Sequence, residues 1–294
     1  MMDIAGEPLR TLAAVIDRGS FERAAEALRI TPSAVSQRMK ALEQQAGRVL
    51  VLRTKPIEPT EAGRILLRLA RQVALLESEA ATELGGSAAG RTTIPLVINA
   101  DSLATWALPA LATLPEVSFE ITLDDQDHTL DRLRDGTAMA AVTSDPEPVP
   151  GCVVSRLGSM RYLPSASPAF RERWLPQGPT AEALARAPML VFDRKDALQE
   201  RYLTARGVAA HPPRHVVPAS TEFVRAAELG LGWGMLPDLQ ATPLIADGRL
   251  IVLEERAVLD VPLYWQQWSV ASSTLAAVSA AIAEAARSTL HQRV

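Results

Sequence analysis

The stretch FERAAEALRITPSAVSQRMKALEQQAGRVLVLR, residues 21–53, decides the fold of the N-terminal part of the chain. Apolar residues at helical spacing predict a short helix over 21–28. Thr31 offers a capping hydroxyl and Pro32 suits a first helical position, so a second helix is predicted from there to about Ala46. A short helix, a three-residue turn and a longer helix are typical of a helix-turn-helix.

The second helix has one apolar face and one polar face. Val35, Met39 and Leu42 form its predicted inward stripe. The opposite face carries small or hydrogen-bonding groups with one cation, which suits the reading of base edges. The residues predicted to contact DNA from this helix and its cap are Thr31, Pro32, Ser33, Ser36, Gln37 and Lys40. The alternative to DNA binding is that the two helices form an amphipathic pair whose polar faces are only solvated.

Charge and a predicted wing agree with DNA binding. Residues 29–55 hold six Lys or Arg and one acid, in a chain of net charge −4. Such a basic patch suits phosphate binding. Two short extended arms, over 49–53 and 57–59, flank Thr54-Lys55-Pro56 and predict a wing. Arg53 and Lys55 are expected to face the DNA backbone or minor groove from it.

A long helix is predicted from Thr60 to about Leu84, with apolar residues recurring by threes and fours. This stripe is wide for an isolated linker helix, and the same helix of a second copy would bury it. The predicted dimerisation residues are Ile65, Leu69, Val73 and Leu76. Packing within its own chain is the alternative. The Gly- and Ala-rich residues 85–90 then predict a flexible hinge.

From residue 92 strands and helices alternate. Predicted strands over 93–99, 117–123 and 139–143, with helices between them, indicate a parallel sheet. A second α/β set follows; its first strand is predicted at 161–166, and a return strand at 264–270 precedes a closing helix over 273–291. The predicted domains are a winged helix-turn-helix (1–59), a dimerisation helix with hinge (60–91) and an effector-binding domain (92–294), whose lobe I covers 92–160 plus 269–294 and lobe II 161–268. The fold class is therefore mixed.

Several classes of protein are disfavoured. A single cysteine, Cys152, excludes an internal disulfide framework and a multi-cysteine zinc site, and the histidines show no metal-ligand spacing. The chain has no nucleophile elbow, phosphate-binding loop or dinucleotide fingerprint, so we expect no enzyme activity and no cofactor. The N-terminus lacks a signal pattern and no apolar run approaches membrane-spanning length, which predicts a cytoplasmic location. A secreted transporter component would need that signal and would have no use for a helix-turn-helix.

Polar residues follow several predicted strands, where ligands of such sheets bind. Ser102 is expected to cap the next helix and, with Thr221, to form an anion site. Nearby carboxylates would then suit a zwitterion with extra positive charge, such as a basic amino acid. The candidate effector-binding residues are Ser102, Trp106, Asp124, Asp125, Thr143, Asp193 and Thr221. Alternatively, the Ser and Thr residues only cap helices or end strands, the Asp residues are charges in solvated loops or ion pairs, and Trp106 belongs to the hydrophobic core.

Residues 24–43 (AAEALRITPSAVSQRMKALE), followed by Gly47, Leu50, Arg53 and residues 60–63 (TEAG), resemble the N-terminal domain of LysR-type transcriptional regulators. Val51 departs from this pattern, since most of the family has Phe there. The resemblance implies a winged helix-turn-helix, a dimerisation helix and a two-lobed α/β domain like that of periplasmic binding proteins, with the effector in the cleft between lobes.

The C-terminal part narrows the resemblance. Residues 99–106 (NADSLATW), 125–128 (DQDH), 150–152 (PGC) and 263–265 (LYW) are similar to the ArgP/LysG branch of this family. That branch senses lysine and arginine, and controls basic-amino-acid export or lysine and arginine metabolism. The implied partners are double-stranded promoter or operator DNA, a basic amino acid and further copies in a homodimer or homotetramer, with RNA polymerase left open and no membrane. A different small-molecule effector, or an effector-independent architectural or replication-inhibiting DNA-binding role, remains an alternative.

Overall fold

The computed structural model describes residues 6–84, 93–123, 131–208 and 212–292. They fall into two compact units. The first comprises Met1–Ile98, Leu114–Ser155 and Trp265–Ala280, and the second comprises Asn99–Thr113, Arg156–Tyr264 and Ala281–Val294. The predicted hinge at 85–90, and Asp124 and Asp125, lie outside the described residues. The predicted domain boundaries stay predictions.

The N-terminal part of the first unit is a helix-turn-helix followed by a short hairpin. Its elements are α1 (Gly6–Arg18), α2 (Phe21–Leu28), α3 (Pro32–Ala46), β1 (Val51–Leu52) and β2 (Glu58–Pro59), the two strands being antiparallel. The predicted capping of α3 is confirmed, because the Thr31 hydroxyl accepts a hydrogen bond from the Ala34 amide at 3.2 Å. The predicted stripe of Val35, Met39 and Leu42 is buried in the core of this domain.

Helix α4 (Glu61–Glu83) begins where predicted, since the Thr60 hydroxyl accepts from the Gly63 amide at 3.0 Å. One face, with Leu66, Leu67 and Ala70, completes the helix-turn-helix core. Although α4 has 23 residues, no helix in the described ranges is long and apolar enough to cross a membrane.

A second face of α4 packs on the α/β part of the same unit. Leu75 is 2% exposed in the middle of this face. Arg68 donates to the Pro150 carbonyl at 2.7 Å. Near the other end of the face, the Glu79 carboxylate accepts from the Ser272 hydroxyl at 2.6 Å and the Thr274 amide at 2.8 Å. Burial raises the pKa of Glu79, but these hydrogen bonds outweigh it and the net shift is downward, so the acceptor stays ionised.

The α/β part of the first unit contains the predicted parallel sheet. Strand β3 (Thr93–Ile98) lies between β4 (Ser118–Leu123) and β5 (Ala140–Thr143), and it is parallel to both. Residues 131–134 are helical and precede β5. The parallel order β4-β3-β5 confirms the alternating strand and helix pattern, because parallel neighbours need a crossover connection.

The second unit carries most of the remaining elements. In chain order, the elements of the rest of the chain are α5 (Ala100–Ser102, π-helical Leu103–Ala107, Leu108–Leu111), β6 (Cys152–Ala166), α6 (Pro168–Trp174), α7 (Ala181–Leu184), β7 (Met189–Val191), α8 (Leu198–Thr204), β8 (Arg214–Val216), α9 (Ser220–Glu228), β9 (Gly234–Pro237), α10 (Asp238–Ala246), β10 (Ile251–Val252), β11 (Leu259–Trp268) and α11 (Ser273–Thr289). Strand β6 pairs antiparallel with β9 and β10, while β7 and β8 are parallel. Strands β6 and β11 each contribute residues to both units.

Two strand predictions were too short. The prediction placed β6 at 161–166, whereas the strand begins at Cys152, because Arg156 and Gly158 in its first half hide the strand pattern. The return strand was predicted at 264–270 but occupies Leu259–Trp268. Helix α10 was missed; Pro243 lies inside it and argues against a helix from sequence.

Candidate nucleic-acid interface and effector site

The outward face of α3 presents the predicted DNA-contacting residues to solvent. The buried stripe and the cap fix the rotation of the helix, because residues three and four apart share a face. The exposed residues on and beside this face are Thr31, Pro32, Ser33, Ser36, Gln37 and Lys40. Their arrangement at the N-terminal part of α3 matches the geometry in which a recognition helix enters a major groove.

The wing is closed at its tip by a side chain. The Thr54 hydroxyl donates to the Pro56 carbonyl at 2.7 Å, and Arg53 and Lys55 on either side of it are exposed. The start of the hairpin is held by the only acid of the basic stretch, since Glu43 accepts from the Leu50 amide at 2.9 Å. The acid therefore positions the hairpin. Of the six basic residues of this stretch, Arg38 pairs with Glu7 at 3.0 Å, while Lys40 on α3 and Arg53 and Lys55 on the wing are exposed candidate phosphate contacts.

Replacement of Gln37 by alanine is expected to relax sequence preference and to weaken specific binding by about 1–3 kcal/mol, because the amide can read a base edge. Arg53→Ala should instead weaken all duplexes alike and flatten the salt dependence. Anisotropy titrations at several salt concentrations, with a duplex selected by the wild type and a scrambled duplex, measure both effects. Gln45→Ala, the same change at the exposed far end of α3, is the control. Unchanged binding in both test variants would contradict this placement of α3.

Ser102 does not cap its helix as predicted. Helix α5 begins at Ala100, and Asn99 is its cap, accepting from the Ser102 amide at 3.2 Å. Asn and Ser both favour the N-cap position. Asn99 is the cap here because the helix begins at Ala100, before the predicted start at Ser102. The Ser102 side chain is fully buried, and its hydroxyl has no hydrogen-bond partner among the described residues. A buried hydroxyl of this kind is unusual in a protein interior and is a candidate ligand contact.

The other candidate effector residues are placed differently from one another. Trp106 lies in the π-helical segment of α5, is 3% exposed, and its indole N–H lacks a partner within the described ranges. Thr143 ends β5 in the first unit, and its hydroxyl accepts from the Asp145 amide at 3.1 Å. Asp193 accepts from the Lys195 and Asp196 amides and so shapes the loop after β7. Thr221 is exposed, one residue after the start of α9.

A polar cluster that the sequence did not reveal lies in the second unit. The Asp101 carboxylate accepts from the Tyr162 hydroxyl at 2.7 Å and from the Ser220 hydroxyl at 2.6 Å. Ser220 in turn accepts from the Gln240 amide at 3.0 Å. We call these four residues the Asp101 cluster. In sequence, Asp101 directly precedes Ser102, the predicted effector residue whose buried hydroxyl has no partner in the described part of the chain.

The surroundings of the Asp101 cluster are electronegative. Burial and the negative charges of Asp101, Asp196 and Asp238 raise the pKa of Tyr162 well above its usual value, so the phenol stays protonated and donates. Burial also raises the pKa of Asp196, against the lowering effect of its hydrogen bonds to backbone amides. Three carboxylates within electrostatic reach of one buried phenol favour a positively charged ligand.

Two nearby basic side chains already have partners. Arg161 pairs with Asp260 through two hydrogen bonds of 2.8 and 3.1 Å, and His291 lies 2.6 Å from an Asp238 oxygen. Within the described part of the chain, no group of His, Cys, Asp and Glu has the geometry to hold a metal ion. The Asp101 carboxylate, which accepts only from two neutral hydroxyls within the cluster, is suited to an organic cation that donates hydrogen bonds.

Two family models match the chain. Residues 7–64 match the bacterial regulatory helix-turn-helix protein model of the lysR family, and residues 89–287 match the LysR substrate-binding domain. Together these matches cover both the helix-turn-helix and the α/β part, which extends the similarity to most of the sequence.

The chain is also similar to whole proteins along nearly all of its length. The chain is 50% identical over 283 residues to the HTH-type transcriptional regulator LysG of Mycobacterium tuberculosis, covering 96% of this chain and 93% of that protein. It is 43% identical over 283 residues to the lysine export transcriptional regulatory protein LysG of Corynebacterium glutamicum, covering 95% and 96%. A solved full-length LysG from Corynebacterium glutamicum with bound effector Arg is 41% identical, has a TM-score of 0.80, and covers 98% of this chain and all of that one.

Proposed function

The chain belongs to the LysR family and is a DNA-binding transcriptional regulator, and from this premise we propose that its effector is a basic amino acid, lysine or arginine. We further propose that the genes it controls serve basic-amino-acid export or lysine and arginine metabolism. Two relatives support these proposals: the lysine export regulatory protein LysG, and the LysG structure with bound effector Arg. Both are more than 40% identical to this chain.

The observation that carries the effector proposal is the electronegative Asp101 cluster. Asp101 accepts a hydrogen bond from the Tyr162 phenol, and the negative charges of Asp196 and Asp238 also act on it; the phenol keeps its proton, so it is neutral and does not offset these charges. A site with this charge favours lysine and arginine over neutral or acidic amino acids. Ser102, Trp106, Asp193 and Thr221 remain proposed contacts in this unit, and Thr143 remains one in the first unit. Asp124 and Asp125 are further proposed partners of the side-chain cation.

The proposed DNA contacts are the exposed residues of α3 and the wing described above. We propose that the protein acts as a homodimer or homotetramer through α4, in the cytoplasm, and without enzymatic activity. The effector regulates by binding one arrangement of the paired DNA-binding domains more tightly than the other, since a ligand shifts such an equilibrium only by its differential affinity.

Calorimetric titration of the full-length protein tests this proposal. Lysine or arginine should bind, and leucine and glutamate should bind at least about tenfold more weakly because they lack the cation that the carboxylates favour. Glutamate also tests the sign of the side-chain charge, because it carries a negative group on a side chain only slightly shorter than that of lysine. Leucine binding as tight as lysine binding would overturn the basic-amino-acid proposal and return these aspartates to a structural role.

A further inference from the structure

We propose that Arg29 binds a phosphate group of the DNA backbone beside the recognition helix, an inference that rests on the DNA contacts proposed above for α3. Arg29 lies in the turn between α2 and α3, two residues before the Thr31 cap. It was not among the residues predicted from sequence to contact DNA. The observation that points to it is its left-handed backbone conformation, with φ 55° and ψ 41°.

The backbone at Arg29 is left-handed because α2 ends in a Schellman motif. The Arg29 amide donates to the Glu26 carbonyl at 3.2 Å, and the Ile30 amide donates to the Ala25 carbonyl at 3.0 Å. Ile30 then packs on the helix-turn-helix core, which fixes the direction of the chain toward α3. Glycine is the usual residue at the left-handed position of this motif, because a Cβ strains that conformation. Every other positive φ in the described residues belongs to a glycine.

The end of α3 shows the same motif with glycine. The Gly47 amide donates to the Gln44 carbonyl at 3.3 Å, and φ of Gly47 is 63°. The Arg48 amide donates to the Glu43 carbonyl at 3.2 Å. Within one domain, the chain therefore ends two helices in the same way but accepts a strained residue only at the end of α2. Strain that the fold itself does not require indicates a role for the side chain.

The side chain of Arg29 is available for that role. It is exposed, and its guanidinium forms no ion pair or hydrogen bond within the described part of the chain, whereas Arg38 on α3 is held by Glu7. Because the N-terminal part of a recognition helix enters the major groove, the turn before it lies at the edge of the groove, beside the phosphates. A guanidinium suits this position, since its planar set of donors matches phosphate oxygens.

The alternative to phosphate binding is that Arg29 only stabilises the end of α2, because a cation near a helix C-terminus interacts favourably with the helix dipole. Removal of the charge would then lower the stability of the protein and leave its salt-dependent DNA binding unchanged. If Arg29 binds phosphate, its replacement by glycine relieves backbone strain and removes a DNA contact. Stability and DNA affinity should then not fall together.

Anisotropy titrations and thermal unfolding of full-length Arg29→Gly and Arg29→Lys test this inference. Arg29→Gly should unfold at the wild-type temperature or above it. It should bind both a duplex selected by the wild type and a scrambled duplex roughly fivefold more weakly for each lost contact at about 0.15 M salt. The slope of log affinity against log salt should become shallower by about one for each lost contact. Arg29→Lys keeps the cation and should keep the slope. Arg201→Gln, which removes an exposed cation from α8 in the second unit, should change neither affinity nor slope.

The outcomes separate this inference from the proposed placement of α3. Arg29→Gly with the affinity and salt slope of the wild type overturns the role of Arg29, whatever its unfolding temperature. A loss confined to the selected duplex, or an equal loss in Arg29→Lys, also overturns it, because a phosphate contact needs a cation and no particular base. The placement of α3 survives these results if Gln37→Ala still relaxes sequence preference. If Gln37→Ala and Arg53→Ala both bind as the wild type does, the placement fails and the contact of Arg29 fails with it.

Discussion

Replacing Gly63 with alanine is expected to destabilise the helix-turn-helix domain by about 3 kcal/mol. Alanine normally stabilises a helix relative to glycine by about 1 kcal/mol, so the expected sign is reversed. The reason is local: a Cβ at this position would lie 1.9 Å from the Leu50 carbonyl oxygen and 3.3 Å from Pro59 Cβ. That carbonyl also accepts from the Thr60 amide at 2.9 Å, so it cannot move without breaking the start of α4.

Circular dichroism during thermal unfolding, with operator binding as a second readout, measures this effect. Gly6→Ala is the matched control, because Gly6 begins α1 and its nearest contact, Glu77, would lie an ordinary 3.7 Å away. The control should unfold within about 0.5 kcal/mol of the wild type. An equal stability for Gly63→Ala and the wild type would mean that α4 does not approach Leu50 as closely as described.

The helix-turn-helix was predictable because its determinants are local. Thr31 and Pro32 specify where α3 begins, and the buried positions Val35, Met39 and Leu42 specify its rotation. All of these residues lie within one short stretch, where periodicity and capping act on the same few turns. The parallel order of β3, β4 and β5 was also predictable, because the strand and helix pattern admits few topologies.

The boundaries of elements were less predictable where two residues compete for one role. Asn99 and Ser102 are both good caps, and the sequence does not say which starts α5. The difference matters for function, because a capping serine has a satisfied hydroxyl, whereas the Ser102 hydroxyl finds no partner in the ranges that the structure describes. Strand β6 shows the same problem at a larger scale, since only half of it has the pattern of a buried strand.

The Asp101 cluster could not be predicted, because its members are far apart in sequence. Asp101, Tyr162, Ser220 and Gln240 come from four different elements, and no local pattern links them. The only signal was Asp101 itself, a carboxylate on the first turn after a strand in a chain expected to bind a cation. The contact of Glu79 with Ser272 is equally remote in sequence and was likewise missed.

Replacing Leu69 and Val73 together with lysine is expected to abolish dimers and, with them, operator binding. The third face of α4 is apolar and uncovered in the single chain: Ile65 is 66% exposed, Leu69 37% and Leu76 42%. The other two faces already pack within the chain, so this one is free for the same helix of a second copy. Two lysine ammonium groups in this helix–helix interface would each lose hydration without gaining an oppositely charged partner.

Sedimentation velocity and operator titration measure the result, and lysine binding should persist because the four residues of the Asp101 cluster all come from elements other than α4. The matched control is Ala74→Lys with Ala81→Lys, which adds the same two charges at exposed positions on the opposite side of the helix. That control should remain dimeric. A wild-type protein that already sediments as a monomer at micromolar concentration would contradict the assignment of this face. Because half-sites on DNA are read by paired domains, loss of the pair removes the second set of contacts and therefore most of the specific affinity.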